Sequence, residues 1–407
     1  MSMRRAVITG IGVVSPAGAG REEYFKNLLA GRSFIREIDR FDSSRYTSRH
    51  AGMVGDFGAE ELFSKRLLKK LDLFSQMTLV ASEQALVDAG LSLEREDRER
   101  VGIVLGNALG GWGFAEEELR DLYRAGVREV SPYQATAWFP AAPQGQVSIH
   151  YGIRGFAKTI ISDIASSHLA LDYAARAIAL GRADIVLAGG TEAPVSPYAL
   201  LCCNTSGELS GSGRYRPFDR GRDGYVLAEG AAVLIVEELG HARARGAKAL
   251  AEIKGFGHAS DGLDPRRPDP EGRGMERAMR MALERAGLTS MEIGYIMPAG
   301  MGGSVSDAAE AKAINSIFGG AAVKPAVGVP RALYGNALGA SGALDAAAAC
   351  VAMEKGAAPV LHGVDADEGC GWMAGDVCSA EKEINNVMIN STGRGGVHAS
   401  LILGLPA

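Results

Sequence analysis

The chain is short of aromatic residues, basic charge and cysteine. Aromatics make up 6% of the 407 residues, and 43 Lys and Arg stand against 48 Asp and Glu, for a net charge of −5. With no basic surplus to neutralise phosphates, nucleic acid is not expected as a main partner. The five cysteines, Cys202, Cys203, Cys350, Cys370 and Cys378, form neither a disulfide framework nor a CxxC pair for zinc. They read as small buried filler in a reducing cytoplasm. No apolar run approaches the roughly 18 residues of a membrane span, so no membrane partner is expected. The start imitates a secretory leader, with Arg4 and Arg5 ahead of an apolar stretch. Thr9, Gly10 and Gly12 interrupt that stretch, and 5–9 reads instead as a first buried strand followed by a glycine-rich turn. The phosphate-binding and GxSxG patterns are missing, and no histidine has ligand spacing. GIGVVSPAG lacks the order of a dinucleotide loop, so no cofactor or metal is expected.

What is present is a large core. Hydrophobic residues reach 47% and charged residues 22%, the balance of a soluble globular protein. Short apolar runs bounded by glycine alternate with stretches of helical spacing. Strands are expected at 5–9, 101–105, 185–189, 231–236, 251–255, 295–297, 386–389 and 400–403. Helices are expected over 65–88, 114–125, 167–180, 274–286, 308–318 and 341–353. The last of these, SGALDAAAACVAM, must be buried, because its small side chains suit close packing. The alternation predicts an α/β architecture of parallel sheets covered by helices. The polar segment GHARARGA at 240–247 separates two halves of similar order, 1–245 and 246–407. The proline-rich stretch 264–272 reads as a surface loop.

One segment asks a chemical question. TIISDIASSHLALDYAARAIALGRADIVLAGGTEA, at 159–193, reads as a strand, an elbow at 162–167, a helix and a second strand. Elbows of this kind display a nucleophile at a helix start. Here the residue at the top is Ile164, which can do no chemistry. Ser166, Ser167 and His168 follow in succession and point in different directions, so a Ser–His dyad is not expected there.

Several further motifs carry a resemblance. RPFDRGRDGYVLAEGAAVLIVEEL at 216–239, VITGIGVVSPAG at the start, LGNALGGW from Leu105, VSPY from Val130, LAGGTEA from Leu187 and STGRGGVHASL near the end occur in one colinear order. Together they resemble the β-ketoacyl synthases, condensing enzymes of the thiolase-like fold, along essentially the whole chain. The resemblance implies two stacked, pseudo-repeated α/β halves in an αβαβα arrangement. It also implies a catalytic cysteine at the elbow, two histidines and a supporting lysine. A helix N-terminus lowers the thiol pKa, and the histidines stabilise the enolate formed on decarboxylation.

At the matching positions this chain carries Ile164 for the cysteine, Ala299 and Asn336 for the histidines, and Arg331 for the lysine. The gate loop has Thr392 and Arg394, the latter where the family carries an aromatic. The resemblance therefore implies a non-catalytic chain length factor, or ketosynthase β subunit, of type II polyketide synthesis, which is not an enzyme on its own. Its partners would be a cysteine-bearing ketosynthase α subunit and an acyl carrier protein. Ala157, Thr159, Ile160 and Ile161 would form the dimer seam, and Leu109, Trp112, Phe114, Gln134 and Trp138 the end of the acyl tunnel. Two alternatives remain open at this point: a divergent acyltransferase using Ser166, Ser167 or Asp163, and a homodimeric acyl-chain-binding protein.

Overall fold

A computed structural model of the chain describes residues 4–264, 267–321, 324–360, 364, 365, 367, 370 and 383–406. In chain order its strands are β1 (Ala6–Ser15), β2 (Gly18–Ala19), β3 (Ile35–Glu37), β4 (His50–Gly52), β5 (Val101–Gly106), β6 (Ala157–Ile160), β7 (Ile185–Glu192), β8 (Leu227–Ala228) and β9 (Gly230–Glu238). The second half adds β10 (Ala251–Ser260), β11 (Tyr295–Met297), β12 (Ala326–Val327), β13 (Asn386–Gly393) and β14 (Val397–Gly404).

The large sheet contains the same path twice. The first run is β1-β9-β7-β5-β6 and the second is β10-β14-β13-β11-β12. In each run the first two neighbouring pairs are antiparallel and the next two parallel. The runs join where β1 meets β10, at Val7 opposite Glu252 and Ile8 opposite Ala251. The expected all-parallel sheet is thus corrected to a mixed one. Hydrophobic runs buried on both faces read alike in either direction, so periodicity could not tell them apart.

Alternation along each strand builds the layers. In β9, Ala231, Val233 and Ile235 pack with the helix Leu73–Asp88, while Ala232, Leu234 and Val236 face the opposite way. That inner face meets the buried helices Ser166–Ala179 and Ser341–Lys355. From the other side, Val387 and Ile389 of β13 face the same two helices, while Met388 turns toward the helices Arg273–Ala286 and Ser304–Phe318. Helix, sheet, helix pair, sheet, helix is the expected layered α/β arrangement. Among the described residues, no helix is long and apolar enough to cross a membrane.

Three local expectations change. The strand expected at 5–9 continues to Ser15, and Gly10 and Gly12 lie inside it rather than in a turn. A Cβ at Gly12 would sit 1.8 Å from the Ala81 carbonyl oxygen, so glycine here lets the helix Leu73–Asp88 approach the strand. The helix expected over 65–88 is divided into Lys65–Leu68 and Leu73–Asp88, because Asp72 caps the second piece by accepting from Phe74 N–H at 3.1 Å. Cys202 is exposed rather than buried filler, whereas Cys203, Cys350 and Cys370 are buried. Cys378 and part of the proline-rich loop, 265–266, lie outside the described residues.

Candidate active site

The elbow forms as the sequence pattern suggests. β6 leads through Ser162–Ala165 into the helix Ser166–Ala179, and Asp163 adopts φ 50°, a left-handed conformation uncommon outside glycine. Ser166 Oγ locks the turn: it accepts from Ser162 N–H at 2.8 Å and lies 2.6 Å from the Asp163 carbonyl oxygen. Ser167 Oγ accepts from Ala343 N–H at 3.0 Å. Both serines are fully buried, so they hold the scaffold and do not face a substrate. Burial, with the Arg331 charge adding to it, pushes the His168 imidazole down to about 3, leaving it neutral.

Ile164 is 2% exposed. It packs in an apolar cluster with Leu200, Cys203, Leu209, Tyr225 and Leu338, and half-buried Leu109 and Met301 lean on the same cluster. The top of the elbow is therefore a plug. Facing it are the loops that hold the other substituted positions. Ala299 N–H and Gly300 N–H donate to Glu310 at 2.7 and 2.9 Å. Gly302 N–H and Phe218 N–H donate to Asp307 at 2.9 and 2.8 Å. Asp307 and Glu310 lie three residues apart on the helix Ser304–Phe318, so both carboxylates face one loop. Burial pushes the Asp307 carboxyl up to about 7.

Asn336 is fully buried. Its Oδ1 accepts from Leu338 N–H and Ser341 Oγ–H, both at 2.9 Å, while Nδ2 meets Met301 Sδ at 3.8 Å and the side chain also hydrogen-bonds Tyr215. Arg331 is wholly buried and pairs with Asp345 on the helix Ser341–Lys355. Burial works against its charge, but the Asp345 carboxylate more than offsets this and holds the Arg331 pKa above its ordinary value. Glu192 accepts from Ala108, Leu109 and Gly339 N–H groups at 2.6, 3.0 and 3.1 Å. Burial outweighs these donors and pushes its carboxyl up to about 8.

The gate loop closes one side of the site. Arg394 N–H donates to Asp163 at 2.7 Å, and its guanidinium donates to Glu208 at 2.8 Å and Tyr225 Oη at 3.0 Å. A cavity of about 340 Å³ opens beside it, lined by Glu208, Arg222, Tyr225, Met301, Thr392 and Arg394 among others. Sequence reasoning missed Asp345, Glu192, Glu310 and Asp307. It also missed His398, whose ring meets Thr392, although the histidine stands inside the quoted loop motif.

The expected tunnel residues divide between the Ile164 cluster and the neighbouring contact of Trp112 with Trp138. Leu109 joins the Ile164 cluster. Trp112 instead packs on Tyr198 at 4.7 Å and on Trp138 at 6.3 Å between ring centroids, and Trp138 is exposed. Phe114 N–H donates to Asp72 at 2.7 Å. Gln134 opens the short helix Gln134–Ala137. Of the seam residues, Ala157, Thr159 and Ile160 lie on the outermost strand of the first run, and Ile161 directly follows it. Ala157 and Ile161 are exposed and Thr159 and Ile160 half-buried.

Residues 3–242 match the family model described as "Beta-ketoacyl synthase, N-terminal domain", and residues 250–365 match "Beta-ketoacyl synthase, C-terminal domain". The chain belongs to the β-ketoacyl synthase family. A protein of Coxiella burnetii named "3-oxoacyl-[acyl-carrier-protein] synthase 2" is 36% identical over 99% of both chains. A protein of the same name from Vibrio cholerae is 35% identical, again over 99% of both. Among solved structures, "The ishigamide ketosynthase/chain length factor" superposes with TM-score 0.92 at 30% identity over the full length of both chains. This is the thiolase-like fold of the β-ketoacyl synthases.

These relatives correct one expectation. The expected non-catalytic chain length factor, not an enzyme on its own, rested on positions 164, 299, 331 and 336. Those positions describe one reaction centre, whereas identity to proteins named as synthases runs through both halves of the chain. The expectation of a length-setting, non-catalytic subunit therefore does not stand.

Proposed function

We propose that this protein is an acyltransferase of 3-oxoacyl synthesis that takes acyl groups from an acyl carrier protein. The observation that carries this reading is the full-length similarity to the two synthases named above. The site adds one support: a cavity opens beside the gate loop that closes on the elbow. Ile164 cannot accept an acyl group, so the acceptor atom lies elsewhere in the cavity.

The partner we infer is a ketosynthase-type subunit that adds a strand along β6. Among the described residues, β6 is hydrogen-bonded to β5 and forms the end of the sheet. Its outer row of backbone donors and acceptors is a template for pairing. Ile161→Asp is expected to weaken such a dimer at least tenfold in size-exclusion or sedimentation titrations. A variant that dimerises as wild type removes this seam.

The functional test is consumption of an acyl carrier thioester by the purified chain, alone and with a co-expressed ketosynthase. Release of free carrier thiol above the protein-free rate is expected. No release in either preparation overturns the reading.

A further inference from the structure

The hairpin of β13 and β14 brings a hydroxyl, an imidazole and a carboxylate into line. Thr392 and His398 oppose each other across the two strands. Thr392 Oγ1 lies 3.1 Å from His398 Nδ1, and His398 Nε2 lies 2.9 Å from Asp261 Oδ1. A carboxylate only accepts, so Nε2 carries the hydrogen and Nδ1 is left to accept from the threonine hydroxyl. The His398 ring is 5% exposed and the Asp261 side chain 1%. Asp261 Oδ2 accepts from Asp269 N–H at 3.0 Å, and Asp261 N–H donates to the Gly396 carbonyl at 2.9 Å, which fixes the carboxylate.

Two glycines make the room. A Cβ on Gly274 would lie 2.2 Å from Asp261 Oδ1 and 2.6 Å from His398 Cδ2, and one on Gly396 would lie 2.8 Å from Asp261 Cβ. Thr392, by contrast, is only half-buried and lines the cavity. The next residue along, Gly393, passes so close to the elbow that a Cβ there would sit 3.2 Å from Asp163 Cβ. The hydroxyl thus stands beside the elbow whose own top residue is inert.

We propose that Thr392 is the nucleophile of an acyl-transfer site, with His398 as its general base and Asp261 as the positioning residue. The proposal rests on the reading that carrier thioesters are the substrate. Thr392 Oγ1 bonds to the thioester carbonyl carbon as its proton passes to His398 Nδ1. The carbon–sulfur bond breaks, and the departing sulfur takes that proton and leaves as a thiol. The product is an acyl ester on Thr392, which water or an acceptor thiol then discharges by the same steps in reverse. Asp261 keeps the ring in the tautomer that this requires.

The test uses the full chain with two probes, a fluorophosphonate and an acyl carrier thioester, read by intact mass and peptide mapping. Labelling at Thr392 is expected with the fluorophosphonate. Thr392→Val should abolish it, Thr392→Ser should retain it, and His398→Asn should slow it about 100-fold or more. Asp261→Asn should lower the rate and shift its pH profile, which a purely structural contact would not do. Circular dichroism checks that each variant folds. Fluorophosphonate labelling without thioester turnover keeps the triad and removes the carrier as substrate. Thioester turnover unchanged in Thr392→Val removes the triad and keeps the carrier. No labelling of the folded wild-type chain at Thr392 overturns the proposal outright.

Discussion

At the residue scale, the site is held by packing and by deep ion pairs, Arg331 with Asp345 and Arg222 with Asp307. Ile164 fills the elbow top among apolar neighbours, so Ile164→Ala should leave a void and cost about 2–4 kcal/mol in urea unfolding. An unchanged midpoint would mean that the cluster collapses around the smaller side chain. Arg331 and Asp345 are both essentially without solvent. Arg331→Met would strand the Asp345 carboxylate in the core, at a cost of about 3–5 kcal/mol. Arg331→Lys keeps the charge and should cost less. If the two variants unfold at the same denaturant concentration, the pair does not hold the site. The motif comparison identified position 331 but gave no view of Asp345. The two residues are fourteen apart in sequence, and only the chain path after the helix Arg331–Tyr334 brings the next helix back over it. The plugging role of Ile164 was legible only as an absence of chemistry, because its cluster draws on residues far apart in sequence, from Ile38 through Leu109 and Leu200 to Met301 and Leu338.

At the element scale, helices and strands were largely legible, and their breaks were decided by single polar residues. Leu68, Leu71, Phe74 and Met77 keep helical spacing across the break at Asp72, so periodicity alone ran the helix through it. Asp72 does two jobs: one oxygen caps the helix at Phe74 N–H, and the other accepts from Phe114 N–H near the start of the helix Trp112–Ala125. Asp72→Ala removes both bonds and should destabilise the protein by about 1–3 kcal/mol. Asp72→Asn keeps one acceptor and should lose about half as much. Equal stability of the alanine variant and wild type would show that water replaces both contacts. The glycines of β1 were misread for a related reason. Sequence marks glycine as permissive, but only the approach of the helix Leu73–Asp88 reveals that Gly12 is needed for lack of a side chain.

At the scale of the whole molecule, the doubled strand path was foreshadowed by the similar order of elements in the two halves, while the antiparallel pairs at the centre were not. Closing those layers buries carboxylates, and this sets how stability responds to pH. Burial pushes Glu192 up to about 8 from an ordinary 4.5, Asp307 up to about 7 from 3.8, and Asp72 up to about 6 from 3.8. Between pH 4.5 and 8 the unfolded chain has released the proton that folded Glu192 still holds. Folding then takes up a proton, so stability falls as pH rises, by about 1.4 kcal/mol per pH unit for each such group. Below the unfolded values both states are protonated and the contribution is fully present. Asp184 acts with the opposite sign. Hydrogen bonds from Arg100 and Arg4, working against burial, hold it down to about 2, so its contribution is lost as pH falls from 3.8 through 2. These four groups together place their most favourable pH near 4 and predict a steady loss of stability toward pH 8. Glu192→Gln keeps the shape and removes the titration. Its unfolding free energy, measured by urea titration at pH 5, 6, 7 and 8, should fall less steeply than that of wild type. Curves that run parallel across this window would mean that the three N–H donors keep Glu192 ionised in the folded protein, against the direction argued from its burial.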